Sequence, residues 1–258
     1  MGKRIVVTGR GGTGKTTFAV LMARFLAGPK LLVDADPDQH LAVMAGVDSP
    51  YGERGSGVRT ISEALYELQG RKAPPDLDAM PLSEQVEYLL NLSCLYESSG
   101  FDLISLGVRW TRGCYCAPNE ILRTLIPRLA QNYRFTILDS PAGVEHVNRQ
   151  VFGEVDDVFA VMDPSAKSRR NTEFFRDLAQ AIGFSFNNLF VVANHQFDAA
   201  GAEGLRRIGG THFLGRIERD PLVEKCDWEG RSLWEVPESS PACPSVRTVL
   251  QRAGYLTG

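Results

Sequence analysis

The sequence predicts a three-layer α/β/α domain built on a mostly parallel sheet of seven to eight strands. Three observations carry this. The chain opens on a short apolar strand (residues 3–8), a glycine-rich loop (9–17) and an apolar repeat at helical spacing (Phe18, Leu21, Met22, Phe25, Leu26). Further short apolar runs, several tipped by Asp or Asn, alternate with segments of helical periodicity, the pattern of parallel strands joined by crossover helices. The 258 residues, 43% of them hydrophobic, are enough to bury a sheet between two helix layers. A single domain over 1–258 is expected, with residues 49–98 as a surface insertion.

The glycine loop has the spacing G-x-x-x-x-G-K-[ST], with Gly9, Gly14, Lys15 and Thr16 at the fixed positions. Glycines let backbone N–H groups turn inward around a phosphate chain, where a Cβ would collide. The helix that follows aims its unpaired N–H groups and partial positive charge at the same anion. Gly11, Gly12, Thr13, Gly14, Lys15, Thr16 and Thr17 therefore read as a nucleotide cradle, with Lys15 on the β- and γ-phosphates and Thr16 on Mg²⁺.

Composition narrows the partners. The formal net charge is −3 at pH 7, which leaves no nucleic-acid footprint. No apolar run approaches the ~20 residues of a membrane span. A strand beginning at residue 3 leaves no room for a cleaved signal peptide. Five cysteines, an odd number around a nucleotide loop, favour a reduced protein over a disulfide framework. A cytoplasmic protein that binds neither nucleic acid nor membrane is expected.

With Arg10 one residue after its first glycine, the loop resembles the deviant Walker A motif, K-G-G-x-G-K-[ST]. That motif belongs to the P-loop ATPase group containing MinD, ParA and the nitrogenase iron protein. There the first Lys reaches across a homodimer to the partner's nucleotide, and Arg10 stands in its place. The resemblance implies an ATP-dependent homodimer in which Arg10 takes a catalytic part. Read alone, Arg10 is a charged, solvated loop residue; it keeps the charge of Lys but has a longer, forked head.

The first helix is expected to end near Ala27-Gly28-Pro29, a stop signal. The second strand (30–34) runs into Asp34-Ala35-Asp36-Pro37. Carboxylates at a strand's C-terminal end sit where open α/β sheets bind ligands. The resemblance implies that Asp36 orients the attacking water; Asp34 is expected at the strand end near Lys15 and the Mg²⁺ shell. Capping of the following helix is the alternative for both. Thr60 and Glu63 form a capping box for a helix through Leu68.

The third strand (101–107) leads to a loop holding Arg109, Arg112, Cys114 and Cys116, ahead of a helix striped by Ile121, Leu122, Leu125, Ile126 and Leu129. Neighbouring cations and a helix N-terminus favour thiolates. An i, i+2 pair in an extended loop points both sulfurs one way. This G-C-x-C segment, in such an ATPase, resembles the CooC family, accessory ATPases that help insert nickel into carbon monoxide dehydrogenase and related enzymes. The resemblance implies that Cys114 and Cys116 bind metal at a dimer interface.

The fourth strand (134–139) ends in Asp139, followed by Ser140-Pro141-Ala142-Gly143-Val144-Glu145-His146. Asp139 is expected to hold Mg²⁺ through water. Gly143 is expected to offer an N–H to the γ-phosphate and to let its loop move on hydrolysis. Ala142, Gly143, Glu145 and His146 match the A-G-x-E-H of the CooC family. Glu145 and His146 are helix caps and relays, or metal ligands. The fifth strand (157–163) ends in Asp163-Pro164-Ser165, with a helix expected from about Ser168 and a basic cluster at Lys167, Arg169 and Arg170. The sixth (189–194) ends in Asn194, which matches the family's adenine-reading Asn. The seventh (212–217) precedes Glu218-Arg219-Asp220-Pro221 and a helix near the base site. Ser240-Pro241 begins a closing helix. Cys226 and Cys243 have no partner at metal-ligand spacing.

The reading that results is an ATP-hydrolysing metallochaperone with ATP, Mg²⁺ and Ni²⁺. It would work as a homodimer on a client nickel enzyme such as carbon monoxide dehydrogenase or acetyl-CoA synthase. Four thiolates across a dimer suit Zn²⁺ or an iron–sulfur cluster as well as nickel. An iron–sulfur carrier and a ParA- or MinD-like positioning ATPase are the alternatives.

Overall fold

The computed structural model describes residues 2–36, 38–47, 59–64, 80, 84, 88, 94–107, 126–142 and 154–257. Within them an eight-stranded sheet has the order β3-β4-β2-β5-β1-β6-β7-β8. Its strands are β1 (Lys3–Gly9), β2 (Lys30–Asp34), β3 (Leu95–Glu97), β4 (Asp102–Ser105), β5 (Phe135–Asp139), β6 (Asp157–Met162), β7 (Asn188–Ala193) and β8 (His212–Arg216). All neighbours run parallel except β3 and β4. The central strands are buried on both faces, which is why they read as unbroken apolar runs.

Side chains alternate across each strand, so one strand feeds two cores. In β1, Ile5 and Val7 enter a core with Phe18, Leu21 and Met22 of α1 (Lys15–Phe25), Leu41 of α2 (His40–Met44), and Val246, Val249 and Leu250 of the last helix. Val6 enters the opposite core, against Phe175 and Ala179 of α3 (Ala166–Ala181) and against Ile61 and Ile126. Helices on both faces of the sheet make the three layers. A third, smaller cluster packs α4 (Ala199–Glu203) on β7. Two more helices close the fold, α5 (Pro221–Glu229) and α6 (Ala242–Arg252).

Several local readings meet the structure closely. Thr60 and Glu63 bond reciprocally, Thr60 N–H to Glu63 Oε2 at 2.8 Å and Glu63 N–H to Thr60 Oγ1 at 3.2 Å. Asp220 caps α5 through the N–H groups of Leu222 and Val223, with Pro221 in the first turn. Other readings shift. α3 starts at Ala166, because Ser165 accepts the Ser168 N–H as its cap. The stretch 49–98 is not all surface: Ile61, Ala64 and Cys94 are buried in the second core, and Leu95–Glu97 form the edge strand β3. Three residues on an antiparallel edge, two partly buried and one exposed, give too short a pattern for periodicity to detect.

Candidate functional site

The sheet's register assembles the site. Val7 and Asp34 each lie beside Asp139, so the ends of β1, β2 and β5 form one row at the C-terminal edge. The phosphate loop leaves from that row. A Cβ on Gly9 would lie 2.5 Å from the Val161 carbonyl oxygen, so close backbone approach demands glycine there. Gly14, the N-cap of α1, has φ 88, a left-handed conformation that L side chains rarely adopt. Between them the loop closes on Arg10, whose carbonyl accepts the Thr13 N–H (3.3 Å) and hydroxyl (2.9 Å).

Lys15 and Thr16, in the first turn of α1, meet the carboxylates of the row. Lys15 Nζ donates to Asp36 Oδ2 at 3.1 Å, and both side chains are mostly buried. Thr16 Oγ1 donates to Asp139 Oδ2 at 2.6 Å. Asp34 ends β2 beside Asp139, and its oxygens serve the backbone that follows. Its Oδ1 accepts the Asp36 N–H (3.2 Å) and its Oδ2 the Leu41 N–H (3.1 Å), so it pins the turn into α2. Burial, reinforced by the Asp139 charge, pushes its carboxyl well above the usual carboxylate range. Burial likewise pushes Asp139 up to about 7, against the opposing pull of Lys15 and the Thr16 hydroxyl.

The arrangement fits Mg²⁺. Asp139 Oδ1 is buried with no hydrogen-bond partner among the described residues, an acceptor left over for a cation's water shell. Mg²⁺ keeps several waters and takes few protein oxygens, so one hydroxyl and one carboxylate suffice. Among the described residues no group of three or more His, Cys, Asp or Glu forms a direct ligand cage.

The remaining predicted residues divide. Asn194 is buried at the tip of β7; its Nδ2 donates to the Thr13 carbonyl at 3.3 Å and its Oδ1 accepts the Gln196 N–H at 3.0 Å. Its amide thus ties the phosphate loop to the turn after β7. The Thr17 hydroxyl faces Met44 Sδ at 3.9 Å. Arg10 pairs with Asp163 at 3.4 Å within its own chain. Sequence reasoning gave Asp163 no role; its position at the tip of a strand beside β1 was the available signal. Cys114, Cys116, Gly143, Glu145 and His146 lie outside the described residues, while Cys226 and Cys243 are buried in the first core.

Known proteins share this architecture. The chain is 29% identical over 257 residues to an uncharacterised ATP-binding protein of Methanocaldococcus jannaschii, covering 96% of this chain and 97% of that one. It is 27% identical over 269 residues to the carbon monoxide dehydrogenase accessory protein CooC of Rhodospirillum rubrum, covering 99% of both. The structure of the septum site-determining protein MinD complexed with Mg-ADP from Pyrococcus horikoshii has the same fold, with a TM-score of 0.67 at 18% identity over 98% of this chain and 96% of that one. The CbiA profile, described as the CobQ/CobB/MinD/ParA nucleotide binding domain, matches residues 5–233. With its phosphate loop seated on a row of strand-end carboxylates, this chain belongs to the CobQ/CobB/MinD/ParA family of P-loop nucleotide-binding domains.

Proposed function

We propose that the chain is an ATP-hydrolysing metallochaperone, a nucleotide- and metal-linked homodimer that assists nickel insertion into carbon monoxide dehydrogenase or a related nickel enzyme. The observation that carries the ATPase half is the Thr16–Asp139 contact at 2.6 Å beside the Lys15–Asp36 pair, at the N-terminus of α1. The nickel half is supported by Cys114 and Cys116 and by the end-to-end likeness to a protein named as a carbon monoxide dehydrogenase accessory protein.

The chain's own residues suggest how nucleotide and cysteines communicate. Ser105 lies beside Asp34 in the sheet, and the Leu106 N–H donates to the Asp34 carbonyl at 2.8 Å. The chain thus departs toward Cys114 and Cys116 next to the Asp34–Asp36 turn. A triphosphate carries more negative charge than one carboxylate, so it draws Lys15 off Asp36. Released, Asp36 is free to orient water, and the turn that follows β2 loses its tie to α1. Mg²⁺, when bound, neutralises charge that develops on the phosphates.

Asp36→Ala separates these roles. It removes Lys15's partner without touching the backbone cradle. Nucleotide affinity is expected to hold or rise, while hydrolysis falls on the order of 10²-fold, as for other positioning groups. Loss of nucleotide binding along with turnover, measured by calorimetry and phosphate release, would instead make Asp36 part of the binding shell.

Metal analysis of anaerobically purified protein, with and without ATP, tests the nickel assignment. One nickel or zinc per dimer is expected. Iron with sulfide in its place would overturn the reading in favour of an iron–sulfur carrier.

A further inference from the structure

Arg10 is held in an unusual way. Its guanidinium meets Asp163 Oδ2 through one contact of 3.4 Å, longer than the ~2.7–2.9 Å of a strong charge-assisted hydrogen bond. Its Nε is buried with no partner among the described residues. Asp163 itself is firmly fixed: its side chain is 8% exposed, its Oδ1 accepts the Ser165 N–H at 2.9 Å and also the Ser165 hydroxyl, and its own N–H donates to Ser168 Oγ at 3.2 Å. A partly exposed cation therefore rests on a firmly held carboxylate and uses a fraction of its hydrogen-bonding capacity. A guanidinium gains most from bidentate pairing with phosphate oxygens, which this contact leaves open.

We propose that Asp163 is a positioning residue for Arg10. It holds the guanidinium within its own chain when no nucleotide is bound, and yields it to the phosphates of a nucleotide carried by a second copy. This rests on the ATP-linked homodimer proposed above and adds the element that restrains it. The weak end of the latch is the Arg10 contact; the strong end is the turn at the start of α3. Because the two oxygens of Asp163 serve different partners, the latch can be removed without the turn.

Asp163→Asn does this. Its carboxamide oxygen can keep the Ser165 contacts while the charge facing Arg10 disappears. Dimerisation is measured by sedimentation with a non-hydrolysable ATP analogue, in the wild-type background and in Arg10→Ala. Arg10→Ala alone is expected to weaken the dimer more than it weakens nucleotide binding. Asp163→Asn is expected to tighten the dimer roughly two- to fivefold when Arg10 is present, the scale of one partly exposed ion pair, and to change nothing in Arg10→Ala. Asp163→Ser, which also offers an oxygen to the turn, provides the same test should the asparagine variant fail to fold. An equal tightening in both backgrounds would reduce the effect to net charge and overturn the latch. So would no tightening when Arg10 is present. A wild-type chain that stays monomeric with the analogue would overturn the homodimer as well, which separates the two failures.

Discussion

Lys15→Ala is expected to abolish ATP hydrolysis in a chain that still folds. Lys15 opens α1 where the backbone N–H groups converge, and it is the mostly buried cation facing both Asp36 and Asp139. Removing a preorganised group that faces developing charge slows an enzyme by about 10²- to 10³-fold, and here the same group also binds the ground-state phosphates. Turnover should therefore fall at least that far, measured as phosphate release at saturating ATP. Folding survives for a specific reason. Lys15 holds the Asp139 carboxyl down against burial. Without Lys15, Asp139 takes up a proton more readily and does not remain as an uncompensated buried charge. Its neighbour Asp34 already sits well above the usual carboxylate range. Normal turnover in folded Lys15→Ala protein, with its circular dichroism unchanged, would remove the phosphate-loop assignment.

Cys114→Ala and Cys116→Ala are each expected to lose the bound metal ion entirely while keeping ATP binding. One C-x-C pair offers two thiolates, too few for a four-coordinate site. In the proposed homodimer, a two-fold axis beside the pair would supply the other two. Metal should then bind at one ion per dimer and should itself favour the dimer. Affinity should fall as pH falls, because protons compete for the thiolates. Cys226→Ala and Cys243→Ala are the controls. Both cysteines are buried among apolar side chains, and burial pushes the Cys243 thiol up, away from thiolate character. Those two substitutions should change core packing and not metal content. A titration of nickel and zinc against the four variants, followed by dimer mass, reads this directly. Metal retained after loss of both Cys114 and Cys116, or one tight ion per monomer, would end the metallochaperone reading.

The nucleotide site was legible in the sequence to an unusual depth because its requirements are local. A glycine that must take φ 88, another whose Cβ would strike a neighbouring carbonyl, and a helix that must begin at Lys15 all leave their mark within nine residues. The central strands were equally legible, since burial on both faces leaves each a largely apolar run. What escaped was weak in pattern. β3 is three residues on an edge, and Ile61 and Cys94 are core residues inside a stretch rich in loop signals. For Asp34 two roles were open, fixing the strand end near Lys15 and capping the next helix; its oxygens accept the Asp36 and Leu41 N–H groups, the second of them in the first turn of α2.

By itself the sequence determined the family, the glycine loop that opens α1, the Thr60–Glu63 capping box and the alternation that makes a three-layer sheet. Each of these depends on residues within one or two turns of each other. Tertiary structure alone decided which charge meets which. Thr16 finds Asp139, 123 positions away, because β5 lies beside β1 with Val7 and Asp139 in register. Arg10 finds Asp163 because β6 flanks β1 on its other side, placing Gly9 beside Val161. Strand order is set by the packing of whole elements, and no local pattern encodes it. The pairing of the cations, Lys15 on Asp36 and Arg10 on Asp163, therefore had to be seen in the fold.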